Sequence, residues 1–256
     1  MGAVDLAYRA YASRLQHQLR AIDDARLPRH VGVILDGNRR WAREAGQTSV
    51  AGHQAGAEKI AHLLQWCEDT RVAVVTLWLL STDNLNRPSD EVQKLLAIIE
   101  NTVESLAATK RWRVHHVGAL DVLPQRTQDV LVAAEKATTE VDGLLVNVAV
   151  GYGGRREIAD AVRSLLAEHA GRGTSLDELA EILTVEHIAA HLYTSGQPDP
   201  DLVIRTSGEQ RLGGFLLWQS AHSEFFFAET YWPDFRQVDF LRALRDYARR
   251  NRRYGS

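Results

Sequence analysis

Four short, almost wholly apolar runs are spaced along the chain, and they constrain the fold more than any other feature. They cover residues 31–35, 72–80, 144–150 and 202–206. Each is short enough for a strand and has no polar face, which is typical of strands buried on both sides. The stretches between them have helical length and spacing. This alternation predicts an α/β fold with a mostly parallel sheet covered by helices on both faces.

Two weaker runs, 113–118 and 224–228, bring the predicted sheet to about six strands. Helices are predicted over 4–25, 51–70, 90–108, 123–140, 155–170 and 238–250, with two short pieces before 197 and an ambiguous stretch at 215–221. The first helix belongs to an N-terminal extension, residues 1–29, and is expected to pack on the domain rather than lie on a membrane. With 256 residues and no repeat or linker, we predict one domain over 1–256.

Composition limits the partners and the compartment. The net charge of -3 argues against a general nucleic-acid-binding protein, so no nucleic-acid partner is expected. Cys67 is the only cysteine, which excludes an intrachain disulfide and fits a reducing cytosol. No signal peptide and no window of roughly 18 apolar residues is visible. We therefore expect a cytoplasmic protein, with contact at a membrane surface left open.

The stretch from His30 to Trp41 is the strongest local signal for a binding site. The first apolar run ends in Asp36-Gly37-Asn38, a turn signal, and helix-compatible residues follow. Free N–H groups at a helix start attract anions, and Arg39 and Arg40 add forked donors suited to phosphate. Asp36 would repel phosphate directly, so its expected role is to hold a divalent cation. The alternative for such a turn alone is a purely structural one.

Ligands of open α/β sheets lie beyond the C-terminal ends of the strands. This rule brings four loops to one crevice: 36–41, 81–87, 151–156 and 205–213. All four carry arginines, which predicts a polyanion site. Arg205 and Arg211, on either side of a glycine turn, can clamp one phosphate group. Glu224 is predicted to join Asp36 in binding Mg²⁺, which prefers one or two carboxylates, water and phosphate oxygens.

Other common sites are missing from the sequence. There is no Walker phosphate loop, no Gly-x-Gly-x-x-Gly after a strand and no Cys-x-x-Cys pair. His115 and His116 are neighbours on a predicted strand, so they point to opposite faces and do not form a metal site.

Several motifs together resemble those of the cis-prenyltransferases, the undecaprenyl diphosphate synthase family. They are HVGVILDGNRRWA, STDNLNRP, NVAVGYGGRREI, DLVIRTSGEQRLGGFLLWQSAHSEFFF and the closing RRYG, in order from His30 to Gly255. The resemblance implies a parallel-sheet homodimer that is Mg²⁺-dependent. It also implies condensation of isopentenyl diphosphate with an allylic diphosphate to form a new Z double bond.

The resemblance implies roles position by position. Asp36 matches the magnesium aspartate, and Glu224 matches a second carboxylate near the metal. Isopentenyl diphosphate is assigned to Arg205, Arg211 and Gly213, and the last of these replaces a serine. A further set of residues matches the family's allylic-diphosphate site or its mobile loop after the second strand. These residues are Gly37, Asn38, Arg39, Arg40, Trp41, His53, Ser81, Asp83 and Arg87. Arg253-Tyr254-Gly255 matches a terminal motif that reaches across the dimer.

Asp36 and Asn84 are the predicted catalytic residues. Stabilising the leaving diphosphate lowers the barrier to breaking the allylic C–O bond, and the double bond of isopentenyl diphosphate then attacks. The proton that is lost has three candidate acceptors: Asn84, Ser81 and a diphosphate oxygen. Departures from the family pattern at Ser49, Asp83, Leu85 and Gly213 put substrate affinity in question.

An apolar tunnel between the sheet and the helices 51–70 and 91–108 is expected to hold the growing chain. Leu79 stands where long-chain members carry a small residue, which predicts a short product of three isoprene units made from geranyl diphosphate. Leu79 and Leu80 are expected to face opposite ways, so only one enters the tunnel. The alternatives are a long-chain synthase and a non-catalytic binding subunit. Asp23-Asp24 lacks the rest of Asp-Asp-x-x-Asp, so a trans-type synthase is not expected.

Overall fold

The computed structural model describes residues 3–250, and of these the side chains of 3–7 and 9 are not described. The strands are β1 (His30–Ile34), β2 (Val74–Ser81), β3 (Arg113–Val117), β4 (Leu145–Tyr152), β5 (Leu202–Arg205) and β6 (Glu224–Phe227). The helices are α1 (Ala3–Arg20), α2 (Asn38–Glu44), α3 (Ser49–Asp69), α4 (Ser89–Ala108), α5 (Gln125–Thr138), α6 (Gly154–Gly171), α7 (Leu176–Ile182), α8 (Val185–Ala189) and α9 (Gln237–Arg249).

The predicted sheet is confirmed, and every strand pair in the described chain is parallel. The strand order is β3-β4-β2-β1-β5-β6, so the two strongest apolar runs, β1 and β2, lie at the centre. All five residues of β1 and all eight of β4 are buried, because helices cover both faces. The strand boundaries differ from the predicted ones by one or two residues. The ambiguous stretch 215–221 is a turn followed by a 3-10 turn at Gln219–His222.

The N-terminal helix α1 packs on the domain, as expected. Its Leu15 and Leu19 are buried, and Arg236 stacks over the ring of Tyr8 at 3.9 Å, beside the start of α9. Within residues 3–250 no helix has the length and apolarity to cross a bilayer.

The pairing of β2 with β4 shifts register at two points, and the first of them is at Leu79. Trp78 pairs with Ala149, but Leu80 pairs with the next residue, Val150, so Leu79 is an extra residue in β2. Such a bulge interrupts the alternation of side chains between the two faces of a sheet. Both Leu79 and Leu80 consequently line the cavity described below. The expectation that only one of them would do so is wrong, because it assumed regular alternation through the end of the strand.

Candidate active site

A cavity of about 830 Å³ opens at the C-terminal edge of the sheet, between the strands and helices α3 and α4. Three of the four predicted loops line it: 36–41, 81–87 and 205–213. The fourth, 151–156, does not. Its Arg156 is instead paired with Asp121 and Asp160 at 2.7 and 3.2 Å. β4 lies outside the three adjacent strands β2, β1 and β5, whose loops line the cavity, so its own loop lies beside the crevice.

The turn after β1 has little room for any residue other than glycine at position 37. Gly37 has φ 106° and caps α2, and a Cβ atom there would lie 2.7 Å from the ring of Tyr231. Thr206 fixes the turn through two hydrogen bonds to the backbone of Asp36. Its hydroxyl accepts a hydrogen bond from the N–H of Asp36 at 2.9 Å and donates one to the carbonyl of Asp36 at 2.7 Å. The first-turn N–H groups of α2, which lack acceptors within the helix, are thus fixed at the cavity.

Asp36 is ionised and surrounded by cations. Its Oδ2 lies 2.7 Å from Arg205 Nη2, and its Oδ1 lies 3.3 Å from Arg40 Nη2. Burial alone would raise the pKa of this carboxyl, but hydrogen bonds from Arg205 and Ser207 and the charge of Arg40 lower it below its usual value. A carboxylate held charged at the cavity mouth is suited to binding a divalent cation.

The mouth of the cavity is strongly cationic. Among the described residues, two carboxylates line it, Asp36 and Asp83, against six arginines. The six arginines are Arg39, Arg40, Arg43, Arg87, Arg205 and Arg211. An excess of guanidinium groups at one concave surface attracts polyanions such as diphosphates.

Arg205 is the most buried of these arginines, with 7% exposure. Besides Asp36, it donates through Nη1 to the backbone carbonyl of Arg211, and its Nε has no partner among the described residues. Gly213 lies beside it: a Cβ atom there would be 3.5 Å from the ring of Trp78 and 3.7 Å from Arg205 Nη1. The serine that the resemblance leads one to expect at 213 would contact this ring.

Glu209 is a site residue that the sequence reasoning missed. Its carboxylate bridges Arg40 at 3.2 Å and Arg211 at 2.6 Å. It therefore connects the arginine of the first loop to the arginine of the last loop. One feature of the sequence did indicate this role. Glu209 lies between Arg205 and Arg211 in a glycine turn, where a carboxylate can form an ion pair with a nearby arginine.

His53 lies on α3 facing the arginines. Burial, with the positive charges of Arg87 and Arg39, lowers its pKa to about 4, so the ring is neutral at pH 7. Its Nε2 has no hydrogen-bond partner within the described chain. A neutral imidazole in this position can hydrogen-bond to a phosphate oxygen through a ring N–H.

The loop after β2 adds polar groups. Ser81, Asp83 and Asn84 all line the cavity, and the Ser81 hydroxyl accepts a hydrogen bond from the N–H of Asn84 at 3.1 Å. Ser49, the first residue of α3, lines the cavity as well, whereas Leu85 packs against the core.

Two predicted site residues lie elsewhere. Trp41 is partly exposed on α2 and does not line the cavity. Glu224 is the first residue of β6 and pairs in register with Leu202, at the N-terminal edge of the sheet. It forms an ion pair with Arg250 there. Within one chain Asp36 and Glu224 are thus at opposite ends of the sheet and cannot share an ion, which corrects that prediction.

The donor set still fits Mg²⁺ bound together with a diphosphate. Across residues 3–250 no cluster of three or more His, Cys, Asp or Glu side chains could hold a metal by itself. Mg²⁺ commonly binds through one or two carboxylates, with water and substrate phosphate oxygens completing its shell. The ionised Asp36 beside the arginines supplies such a carboxylate.

The inner end of the cavity is apolar. Side chains from β2, α3 and α4 close it, namely Ile60, Leu79, Leu80, Leu95, Ile98 and Ile99, with Thr102. This is the predicted tunnel between sheet and helices. The cavity is therefore cationic at its mouth and hydrocarbon-like at its end.

Comparison with known proteins agrees with this geometry. Residues 34–255 match a family described as "Putative undecaprenyl diphosphate synthase". The chain is 65% identical over 249 residues to a (2Z,6E)-farnesyl diphosphate synthase from Thermobifida fusca, covering 97% of this chain and 96% of that one. It is 61% identical over 251 residues to an isoprenyl transferase from Streptomyces avermitilis, covering 98% and 96%.

Solved structures give the same answer. Lavandulyl diphosphate synthase from Lavandula x intermedia, in complex with dimethylallyl diphosphate, superposes with a TM-score of 0.84 at 34% identity, covering 91% of this chain and 100% of that one. A probable undecaprenyl diphosphate synthase from Campylobacter jejuni superposes with a TM-score of 0.72 at 25% identity, covering 90% and 99%.

Proposed function

This chain belongs to the undecaprenyl diphosphate synthase family of cis-prenyltransferases, and we propose that it is a short-chain member. In this proposal it condenses one isopentenyl diphosphate with geranyl diphosphate and releases inorganic diphosphate and (2Z,6E)-farnesyl diphosphate. The observation that carries the proposal is a single cavity with six arginines at its mouth and an apolar end closed by Leu79 and Leu80. Relatives named for this short product support it.

The apolar end of the cavity favours a short product over a long one. Leu79 and Leu80 both line it, and they leave less room there than small side chains would. A growing hydrocarbon therefore meets these side chains early.

The allylic diphosphate is assigned to the first-turn amides of α2 at Gly37 and Asn38, to Arg39 and Arg87, and to the neutral His53. Isopentenyl diphosphate is assigned to Arg205 and Arg211, with Arg40 between the two groups. Guanidinium forks bind diphosphate oxygens in pairs and stabilise the charge that develops on the leaving group. Asp36 would hold Mg²⁺, which when bound would supply Lewis-acid stabilisation of that same charge.

In the reaction, the allylic C–O bond breaks and its electron pair leaves with the diphosphate. The double bond of isopentenyl diphosphate attacks the electron-deficient carbon, and one proton is lost to form the new Z double bond. Neither the Ser81 hydroxyl nor the Asn84 amide is basic at neutral pH, and the pKa of His53 is lowered to about 4. We therefore assign the proton to a diphosphate oxygen, with Asn84 positioning the group that receives it.

We also propose a cytosolic homodimer. β6 is an edge strand of the described sheet, and Phe225 and Phe227 stack on one of its faces at 6.3 Å while remaining partly exposed. An edge strand with partly exposed apolar side chains is available for pairing with a second copy of the chain. The terminal Arg253-Tyr254-Gly255, which the resemblance implies in the dimer, lies outside the described residues.

One assay tests the proposed activity. Radiolabelled isopentenyl diphosphate is incubated with Mg²⁺ and either dimethylallyl, geranyl or farnesyl diphosphate, and the dephosphorylated products are separated by chromatography. We expect geranyl diphosphate to be the best primer and a 15-carbon alcohol to be the main product. Products of eight or more units would favour the long-chain alternative. A protein that binds these diphosphates without turnover would favour the non-catalytic one.

A further inference from the structure

Glu91 contacts two arginines of the cavity without lining the cavity itself. Its Oε1 lies 3.5 Å from Arg39 Nε and 3.5 Å from Arg87 Nη1. Both arginines line the cavity, and Glu91 does not. The carboxylate thus contacts the guanidinium groups from outside the cavity lining. Each guanidinium group keeps other N–H donors for a ligand.

We propose that Glu91 is a positioning residue that holds Arg39 and Arg87 as a pair facing the allylic diphosphate. The inference rests on the proposed function, because it concerns the same diphosphate. It goes beyond that function by assigning a role to a side chain that would touch no substrate atom.

The three residues belong to different elements. Arg39 is in the first turn of α2, Arg87 follows the 3-10 turn at Thr82–Asn86, and Glu91 is in the first turn of α4. Their contacts tie the loop after β2 to the loop after β1 across the mouth of the cavity. No other ion pair in the described chain involves Arg39 or Arg87.

A counter-charge is needed because the two arginines repel each other. Burial, followed by the charge of Arg39, lowers the pKa of Arg87, and the charges of Glu91 and Asp36 act in the opposite direction. Arg39 has a side chain that is 54% exposed, so without Glu91 it is free to turn toward water. Two long side chains that are already ordered lose less entropy when a diphosphate binds.

The alternative is that Glu91 merely competes with phosphate for the arginines. Removing a charge several ångströms from a phosphate changes affinity by roughly twofold at the dielectric of water. Losing a charge-assisted pair between arginine and phosphate changes affinity by about tenfold or more. The effect of positioning on affinity is thus the larger one. If Glu91 positions the arginines, its removal weakens phosphate binding, and if it competes with phosphate, its removal strengthens binding.

The test uses inorganic pyrophosphate, measured by calorimetry, together with steady-state kinetics. We expect Glu91→Gln to weaken pyrophosphate binding about tenfold and to raise KM for geranyl diphosphate by a similar factor. KM for isopentenyl diphosphate and kcat should change less than twofold. Glu91→Asp should restore part of the loss. Asp90→Asn is the matched control, since it removes the same charge from the same turn of α4, at an exposed position that forms no ion pair within residues 3–250.

A second comparison, in a variant that lacks both arginines, tests the proposal if Glu91→Gln is less stable than the wild type. When Arg39 and Arg87 are both replaced by glutamine, adding Glu91→Gln should cause no further loss of pyrophosphate affinity. Equal or tighter binding by the single variant, an equal loss for both substrates, or an additive loss in the double-arginine background would overturn the proposal. If the wild type makes no product from geranyl diphosphate, the proposed function fails, while the pyrophosphate titrations still test Glu91.

Discussion

Arg205 Nη2 lies 2.7 Å from Asp36 Oδ2, although the two residues are 169 positions apart in the chain. The pair joins the ends of β1 and β5, which are neighbours in the sheet. Because Arg205 is 7% exposed, its guanidinium needs a counter-charge, and the Asp36 carboxylate supplies one. In the proposed function Asp36 thus has two tasks, holding a divalent cation during catalysis and pairing with Arg205.

The first prediction is that Asp36→Ala abolishes turnover while the protein remains folded. Loss of the cation anchor removes several kcal/mol of charge stabilisation, and each 1.4 kcal/mol is about tenfold in rate. We expect the activity to fall at least a hundredfold. The free energy of unfolding should fall by about 2 kcal/mol, less than for a fully buried pair, because the Asp36 side chain is 29% exposed.

Incorporation of labelled isopentenyl diphosphate at saturating Mg²⁺ measures the activity, and chemical denaturation measures stability. Asp177→Ala is the control, since it removes an exposed carboxylate from α7, outside the cavity. More than a tenth of wild-type activity in Asp36→Ala would contradict the assigned role.

The second prediction concerns the isopentenyl diphosphate clamp. Arg211→Ala should raise KM for isopentenyl diphosphate at least tenfold with little change in KM for the allylic substrate, because it removes one charged fork from one diphosphate. Its stability should be unchanged, since the Arg211 side chain is 67% exposed.

Arg205→Ala should show the same kinetic preference but lose stability as well. Arg172→Ala, an exposed arginine on the far side of the fold, is the control for the kinetics. Equal losses for both substrates would show that the two diphosphate sites are misassigned.

The third prediction is a loss of stability between pH 6.5 and pH 4. His30 is 1% exposed, and burial lowers its pKa to about 4, even though a hydrogen bond to the Pro198 carbonyl acts in the opposite direction. In the unfolded chain this histidine takes up a proton near pH 6.5, whereas the folded chain resists it until about pH 4. Acid therefore favours the unfolded state in this range, by about 2 kcal/mol at pH 5 from His30 alone.

Denaturant unfolding at pH 7.5 and pH 5 measures this effect. In His30→Gln the wild-type difference between the two pH values should shrink by about 2 kcal/mol, whatever the loss at pH 7.5 from its missing contacts. An unaltered pH dependence in His30→Gln would rule His30 out as its source.

Much of this architecture could be predicted from the sequence, because a strand buried on both faces must be an apolar run. The same reasoning placed Asp36 and Arg205 at the C-terminal edge of the sheet. It should also have placed Glu224 at the opposite edge, since that residue begins its strand rather than ending it. The preference of Mg²⁺ for two carboxylates favoured pairing Glu224 with Asp36, whereas the register places the two residues at opposite edges of the sheet.

Two features could not be read from the residues. The bulge at Leu79 depends on how β2 and β4 pair, and no local pattern in either strand marks it. The bridge from Glu209 to Arg40 depends on the approach of two loops 169 positions apart. Both are consequences of tertiary packing, which overrides the regular period of a strand and brings distant charges together.

The fourth prediction is that the protein is a two-fold homodimer, with β6 in the interface. Phe227→Glu should reduce the mass measured by light scattering toward that of a monomer, because a charge on an apolar edge strand opposes pairing. Val132→Glu alters another exposed apolar side chain, on α5, and should leave the mass unchanged. A monomeric wild type at working concentration would remove the dimer from the proposal.

The last prediction is that Leu79 sets the length of the product. Leu79 and Leu80 both face the cavity because of the bulge, but Leu80 is 1% exposed and packed into the core, whereas Leu79 is only partly buried. Replacing Leu79 by alanine removes three carbons from the wall of the tunnel. A close-packed interior does not stretch around a growing chain, so the enlarged end should admit at least one more isoprene unit.

Chromatography of the products made from geranyl diphosphate measures this effect. We expect Leu79→Ala to shift the main product from three units to four or more, with a modest loss of stability. Leu77→Ala is the matched control: Leu77 is fully buried in the same strand and does not line the cavity. It should cost about 2–5 kcal/mol of stability without changing product length. An unchanged product distribution in Leu79→Ala, or wild-type chains of eight or more units, would show that another part of the tunnel ends chain growth.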